Sequence, residues 1–181
     1  AYTIVLDWLQ AGLRSRAVGV GDKLPGERTL AERFGISRAS VREATRMLEA
    51  MGLIRASAGF GPNSGAVVVS EPSAALGWAL RLHIATRSLP MADVVAARVL
   101  LETDAAQAAA ATSGDPESVA VLAEAEALLD RMDDPALPEE DFHLLDTEFH
   151  VRLATLGGNV VTAMMLGSLR QATIGYVTET P

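Results

Sequence analysis

The chain of 181 residues is 49% apolar, has no cysteine and carries a formal net charge of −8. It can fill one large or two small cores, while a disulfide framework or a thiolate metal site is excluded. Charged residues interrupt every apolar run before it reaches membrane-spanning length, and no secretory signal opens the chain. A soluble cytoplasmic protein without a membrane partner is expected.

The charge is unevenly spread. Residues 1–70 hold nine Lys/Arg against six Asp/Glu, a balance of +3, whereas residues 71–181 hold six against seventeen, a balance of −11. A mildly basic module joined to an acidic one fits a nucleic-acid reader with a separate regulatory body. The first residue, Ala1, already lies in a helical pattern, so the sequence reads as a fragment or a trimmed chain.

Residues 2–16 place Ile4, Val5, Trp8, Leu9, Ala11 and Leu13 at helical spacing, with Arg14 and Arg16 in the last turn. Trp8 reads as a packing residue. The glycine-broken stretch Val18 to Leu24 reads as a short strand or loop. Next, Pro25 and Gly26 precede a helix whose first turn carries Glu27, where the helix dipole favours an acid. Leu30, Ala31 and Phe34 repeat on one face of it. Gly35 stops that helix at a position that wants positive φ. Ser37 then caps a second helix with Val41, Ala44 and Leu48 on its inner face and Arg38, Ser40 and Arg42 outward. Two helices around so sharp a turn form a helix-turn-helix, and the second helix of such a pair reads DNA.

Leu53-Ile54-Arg55 and Ala66 to Val69 flank a Gly/Pro/Asn loop and read as a hairpin, which in this place is a wing. Its tip, from Ser57 to Gly65, has no positive charge, so backbone N–H contacts to DNA are the most it can supply. Glu71-Pro72-Ser73 marks the linker from a DNA-binding domain over 1–70 to a helical domain over 71–181. Helices are expected near 73–88, 91–112, 116–132, 138–156 and 160–176. Asp115-Pro116 and Gly157-Gly158-Asn159 are their clearest punctuation.

Few residues point to chemistry. Asp146 and His150 stand four apart, so both fall on one helix face, with His143 roughly aligned. At that spacing they are either half of a divalent metal site or a solvent-facing pair. Arg98 and Glu102 share the spacing and read as an intrahelical ion pair, or with Arg98 as the bidentate anchor of a small carboxylate. His83, on another helix, reads as a partly buried structural residue. No nucleophile elbow or phosphate-binding glycine loop occurs, so no catalytic residue is assigned and no enzyme is expected.

The run from Leu24 through Arg38 resembles the L-P-S-E-R-x-L-A-x-x-x-G-V-S-R signature of the GntR family of bacterial transcription regulators. It continues through Val41-Arg42-Glu43-Ala44 and through Leu48 to Ile54. Arg98 to Glu102 resembles the R-x-x-[LI]-E opening of the FCD domain in that family's FadR-type subgroup. Asp146-Thr147-Glu148-Phe149-His150 resembles its D-x-x-F-H, and Leu153-Ala154 with Gly158-Asn159 its continuation.

The resemblance implies a mainly α chain, an N-terminal winged helix-turn-helix followed by an all-helical antiparallel FCD-like bundle that continues beyond Pro181. It implies a homodimer on an inverted-repeat, double-stranded DNA operator. The charge split, with Arg98, Asp146 and His150 in one bundle, adds the expectation of a repressor whose helical domain answers to a small carboxylate effector. Arg28, Ser37, Arg38, Ser40 and Arg42 fall where family members contact DNA. Arg28 would touch phosphate, Arg38 would read guanine, Ser37 and Ser40 would meet phosphate or base edges, and Arg42 would hold backbone. Asp146 and His150 would ligate a divalent metal of the zinc or nickel class, together with two histidines from later helices that this sequence does not contain. The rivals from other classes are a metal-dependent helical enzyme and a purely structural dimerisation protein.

Overall fold

Residues 1–56, 66–111 and 114–177 are described by the structure, a computed structural model of the chain. Helices α1 (Thr3–Arg14), α2 (Glu27–Phe34) and α3 (Arg38–Ala50) come first, followed by strands β1 (Ile54–Ala56) and β2 (Ala66–Val68). Val5 of α1 meets Leu30 and Ala31 of α2 and Val41 and Ala44 of α3 in one buried cluster. A second cluster of Leu9, Leu24, Leu48, Ile54 and Val68 ties α1 and α3 to the strands. Ile4 and Ala11 are exposed, against expectation. They lie about 100° and 240° around the helix from Val5, outside the narrow stripe that α1 buries.

β1 and β2 pair antiparallel, Ile54 with Val68, Arg55 with Val67 and Ala56 with Ala66. The base of the expected hairpin is therefore present, while its tip, with the charge pattern noted above, lies outside the described residues. The glycine-broken stretch before α2 joins β2 as a third, minimal edge. Lys23 bridges Val67, and Leu24 N donates to Ala66 O at 2.8 Å.

The segment after β2 is not a free linker. Val69 N donates to Leu53 O at 2.8 Å and Glu71 N to Gly52 O at 2.9 Å, so the chain is held to the first unit as far as Glu71. Gly52 makes this possible: its φ is +68°, and a Cβ there would stand 2.3 Å from Glu71 O. No other residue fits without moving the backbone.

Contacts divide the chain into two compact units, Ala1–Ala75 and Leu76–Pro181. Helices α4 (Pro72–Ala85), α5 (Met91–Ala110), α6 (Pro116–Met132), α7 (Glu139–Leu156) and α8 (Val160–Val177) complete the architecture, which is mainly α with a winged helix-turn-helix ahead of a helical bundle. The caps are local and specific. Asp115 Oδ1 accepts from Glu117 N and Ser118 N at 3.1 and 3.0 Å ahead of Pro116. Asn159 Oδ1 accepts from Val161 N and Thr162 N at 3.1 and 3.2 Å to start α8.

In the second unit α7 packs on α5, α6 and α8, and α8 also packs on α5. Ala105, Ala154, Ala163 and Leu166 form the small-residue seam between α5, α7 and α8. Ile84, Val94, Leu169 and Ala172 join α4 to α5 and α8. His83 is exposed rather than partly buried, because its neighbour Ile84 takes the inward position on α4. Among the described residues no helix is long and apolar enough to cross a membrane.

Candidate functional site

The first candidate surface is the outer side of α2 and α3. Gly35 stands at φ +62° with its N–H on Ala31 O, which ends α2 in the left-handed conformation expected of it. Ser37 follows in extended backbone, and its Oγ accepts from Ser40 N at 3.0 Å. The Ser37 and Ser40 hydroxyls also meet at 3.0 Å, so both are engaged in building the helix start. Arg38 is therefore the first residue of α3, its side chain 64% exposed, at the helix end where backbone N–H groups face outward. Arg28 lies on α2 with a loose contact to Glu32 at 3.6 Å, both of them exposed.

Arg42 is placed differently from its neighbours. Its Nε donates to Glu27 Oε1 at 3.2 Å and its Nη2 to Glu27 Oε2 at 3.0 Å, a two-point ion pair between α3 and the first turn of α2. Arg38 Nη2 stands 3.9 Å from the same Oε2. The hydrogen bond from Arg42 holds the Glu27 carboxyl below its ordinary range against a smaller opposing effect of burial, and the charges of Arg42, Arg38 and Arg46 add to it. In the sequence Glu27 reads as a helix-dipole partner only. A pair fifteen residues apart across a turn leaves no periodic trace.

The second candidate is a charge cluster in the helical unit. Arg170 of α8 is only 6% exposed at its side chain. Its Nε donates to Glu102 Oε1 at 2.9 Å, its Nη2 lies 2.7 Å from the same oxygen, and its Nη1 donates to Asp146 Oδ2. Arg98 donates to Glu102 Oε1 at 3.3 Å and to Thr173 Oγ1 at 3.0 Å. Its buried Nε has no hydrogen-bond partner among the described residues. His150 Nε2 stands 3.5 Å from Asp146 Oδ1. Burial, then the charge of Arg170, pushes the His150 pKa down, outweighing Asp146 and Glu102, so this imidazole is neutral at neutral pH. His143 instead reaches back to Glu139 at 3.7 Å.

A cavity of about 580 Å³ opens beside the cluster between α5, α7 and α8, walled by Val99, Ala105, Ala106, Leu153 and Leu166, with Glu102 and His150 as its ionisable lining. Arg98 is not among its lining residues but pairs with Glu102, which is. Helical spacing singles out Arg98, Glu102, Asp146 and His150 but not Arg170, which binds two of them together. The available signal is that Arg170 is the single charged residue of α8. Such a charge has to find partners inside the fold.

A divalent metal at Asp146 and His150 meets two donors. Asp146 Oδ2 already accepts from the Arg170 guanidinium, and among the described residues no group of three or more His, Asp or Glu side chains could hold a metal ion. Asp146 and His150 are two of the four or more donors that a resident metal takes.

Comparison with known proteins places both units. Residues 1–62 match the model "Bacterial regulatory proteins, gntR family", and residues 93–180 match the FCD domain. The Uxu operon regulator of Haemophilus influenzae is 31% identical over 175 residues, covering 94% of this chain and 59% of the relative. The HTH-type transcriptional repressor NanR of Salmonella newport is 31% identical over 163 residues, covering 87% of this chain and 59% of the relative. The chain thus spans 59% of the length of these curated relatives. Among solved structures, Streptococcus agalactiae GntR shares the fold with a TM-score of 0.54 and 24% identity, over 99% of this chain and 83% of that one.

Proposed function

Since the chain belongs to the GntR family of bacterial regulatory proteins, with an FCD domain after its helix-turn-helix, we propose that it is a ligand-responsive DNA-binding transcription regulator, a repressor acting as a homodimer on an inverted-repeat operator. The observation that carries this reading is Arg38, an exposed guanidinium on the first residue of a helix capped by Ser37. A fork in that position matches O6 and N7 of guanine in the major groove. Arg28 takes phosphate, and Ser37 and Ser40 set the start of α3, offering the hydroxyl capacity left after capping. Arg42, which the resemblance sets on the DNA backbone, is held by Glu27 at two points. Two copies are needed because an inverted repeat is read by a two-fold assembly. Repression is the role in the printed name of NanR, and it is proposed here on that likeness.

In the helical unit a small carboxylate is the proposed effector. Arg98 supports it, with one buried donor unpartnered and the others on Glu102 and Thr173. Such a fork can exchange its internal acceptors for a ligand carboxylate. A divalent metal would be held by Asp146 and His150 together with donors from outside the described residues.

The experiment is selection of duplex DNA from a random pool, followed by affinity measurements on the selected sequence. Arg38→Ala should weaken binding by about 1–3 kcal/mol and relax a single base position. Equal losses on selected and random DNA would make Arg38 a phosphate contact instead. No enrichment at all would remove DNA reading from this chain.

A further inference from the structure

We propose that Glu27 is a specificity-determining residue of the DNA surface. By gripping Arg42 at two points it withholds a cation from non-specific phosphate and leaves Arg38 as the guanidinium presented to the bases. The inference rests on the DNA-reading function proposed above.

The geometry separates two arginines that the sequence leaves equivalent. Both project from the outer face of α3, one turn apart, and are 64% and 52% exposed at their side chains. Arg42 fills both carboxylate oxygens of Glu27 in the fork-on-fork arrangement that fixes a guanidinium in direction as well as position. Arg38, at 3.9 Å from one of those oxygens, feels its charge without being bound by it. The lowered Glu27 pKa keeps the carboxylate ionised throughout the neutral range.

The pair is not needed to hold the two helices together. Leu30, Ala31, Val41 and Ala44 already do so from the buried side, and an exposed ion pair adds little to stability. Its consequence is at the surface. A carboxylate facing the groove repels every phosphate alike, and a cation paired internally is absent from the phosphate count that sets non-specific affinity. A base-reading contact made by Arg38 is not cancelled in that way. Glu27 therefore lowers binding to random DNA more than binding to the operator. On the operator the base contact of Arg38 fixes the register and Arg42 stays on Glu27, whereas random DNA, bound in any register, offers a phosphate to a freed Arg42.

The test compares the chain with Glu27→Gln on the pool-selected duplex and on a random duplex of equal length, across a salt series. The carboxamide keeps the size of the side chain and removes its charge. Binding of the variant to random DNA should tighten about threefold or more, with a salt slope steeper by about 0.9 as one more phosphate is neutralised. The ratio of selected to random affinity should fall. An unchanged ratio with an unchanged slope overturns the proposal, as does an equal shift on both duplexes.

Arg42→Gln supplies the second arm. In that background Glu27→Gln should change the ratio no further. An undiminished effect there means that Glu27 acts through another group, and this too overturns the proposal. If the unaltered chain binds selected and random DNA equally, the DNA-reading function itself fails, a result recognisable without any variant. Thermal unfolding of each variant confirms that the comparison is between folded proteins.

Discussion

Arg170 shows what one buried guanidinium does to its surroundings. It satisfies Glu102 and Asp146 at once, and its charge is the second cause of the lowered His150 pKa. Removing it leaves Glu102 with Arg98 alone and Asp146 with only the neutral His150. Arg170→Met should therefore destabilise the helical unit by about 2 kcal/mol or more in denaturant unfolding, since breaking an ion pair from inside strands its partners. A loss below roughly 0.5 kcal/mol would show the cluster relaxing into solvent.

His150 gives a pH signature of definite sign. Its pKa is lower folded than unfolded, so between the two values the unfolded chain binds the extra proton. The stability from keeping His150 neutral is fully present above the unfolded pKa of about 6.5 and is lost as pH falls through the folded one. Tm should drop on acidification below that point, and His150→Gln should flatten this part of the curve. An identical slope in the variant would assign the acid sensitivity to other groups. Residue by residue, the sequence revealed the polar types that fall four apart on one helix. It concealed Arg170–Glu102 and Arg42–Glu27, which form only once the helix crossings are set.

At the scale of elements the sequence was far more legible, because starts and stops are local events. The left-handed Gly35, the Ser37 cap, Asp115 before Pro116, and Asn159 after Gly158 each act within three residues of themselves. The five helices of the second unit accordingly lie within three residues of their expected ends. The segment around Glu71 was illegible for the opposite reason. Pro72 and Ser73 do read as punctuation, yet the residues before them are held by backbone bonds to Leu53 and Gly52, which no side-chain pattern reports.

Gly52 turns this into a prediction. Its φ of +68° alone would strain an alanine, and the added Cβ would also strike Glu71 O. Gly52→Ala should destabilise the first unit by about 2 kcal/mol or more, the left-handed strain of roughly 1–2 kcal/mol being joined by the clash. Gly26→Ala is the control: its φ is −62° and nothing stands within 4 Å of a Cβ there. Its effect should stay within about 0.5 kcal/mol. Equal effects at the two glycines would remove the Glu71 contact as the cause.

The whole molecule joins a basic half to an acidic one, and the two halves carry different work in the proposed function. The net charge of −8 conceals this, and only its division along the chain points the first unit toward phosphate. If the helical unit senses a carboxylate and the first unit reads DNA, the two equilibria are linked. Linkage then fixes a relation that does not depend on how the units are arranged. Whatever factor the carboxylate applies to operator affinity, the operator must apply to carboxylate affinity.

Calorimetry with a panel of small carboxylic acids, with and without the selected duplex, should therefore give one factor measured twice. Coupling of this kind spans roughly 5–150-fold. Arg98→Ala should abolish carboxylate binding while leaving operator affinity without ligand close to that of the parent, because Arg98 belongs to the helical unit. Carboxylate binding that survives in the variant would free Arg98 from the role. A carboxylate that binds yet leaves operator affinity unchanged would occupy the helical unit without regulating the other.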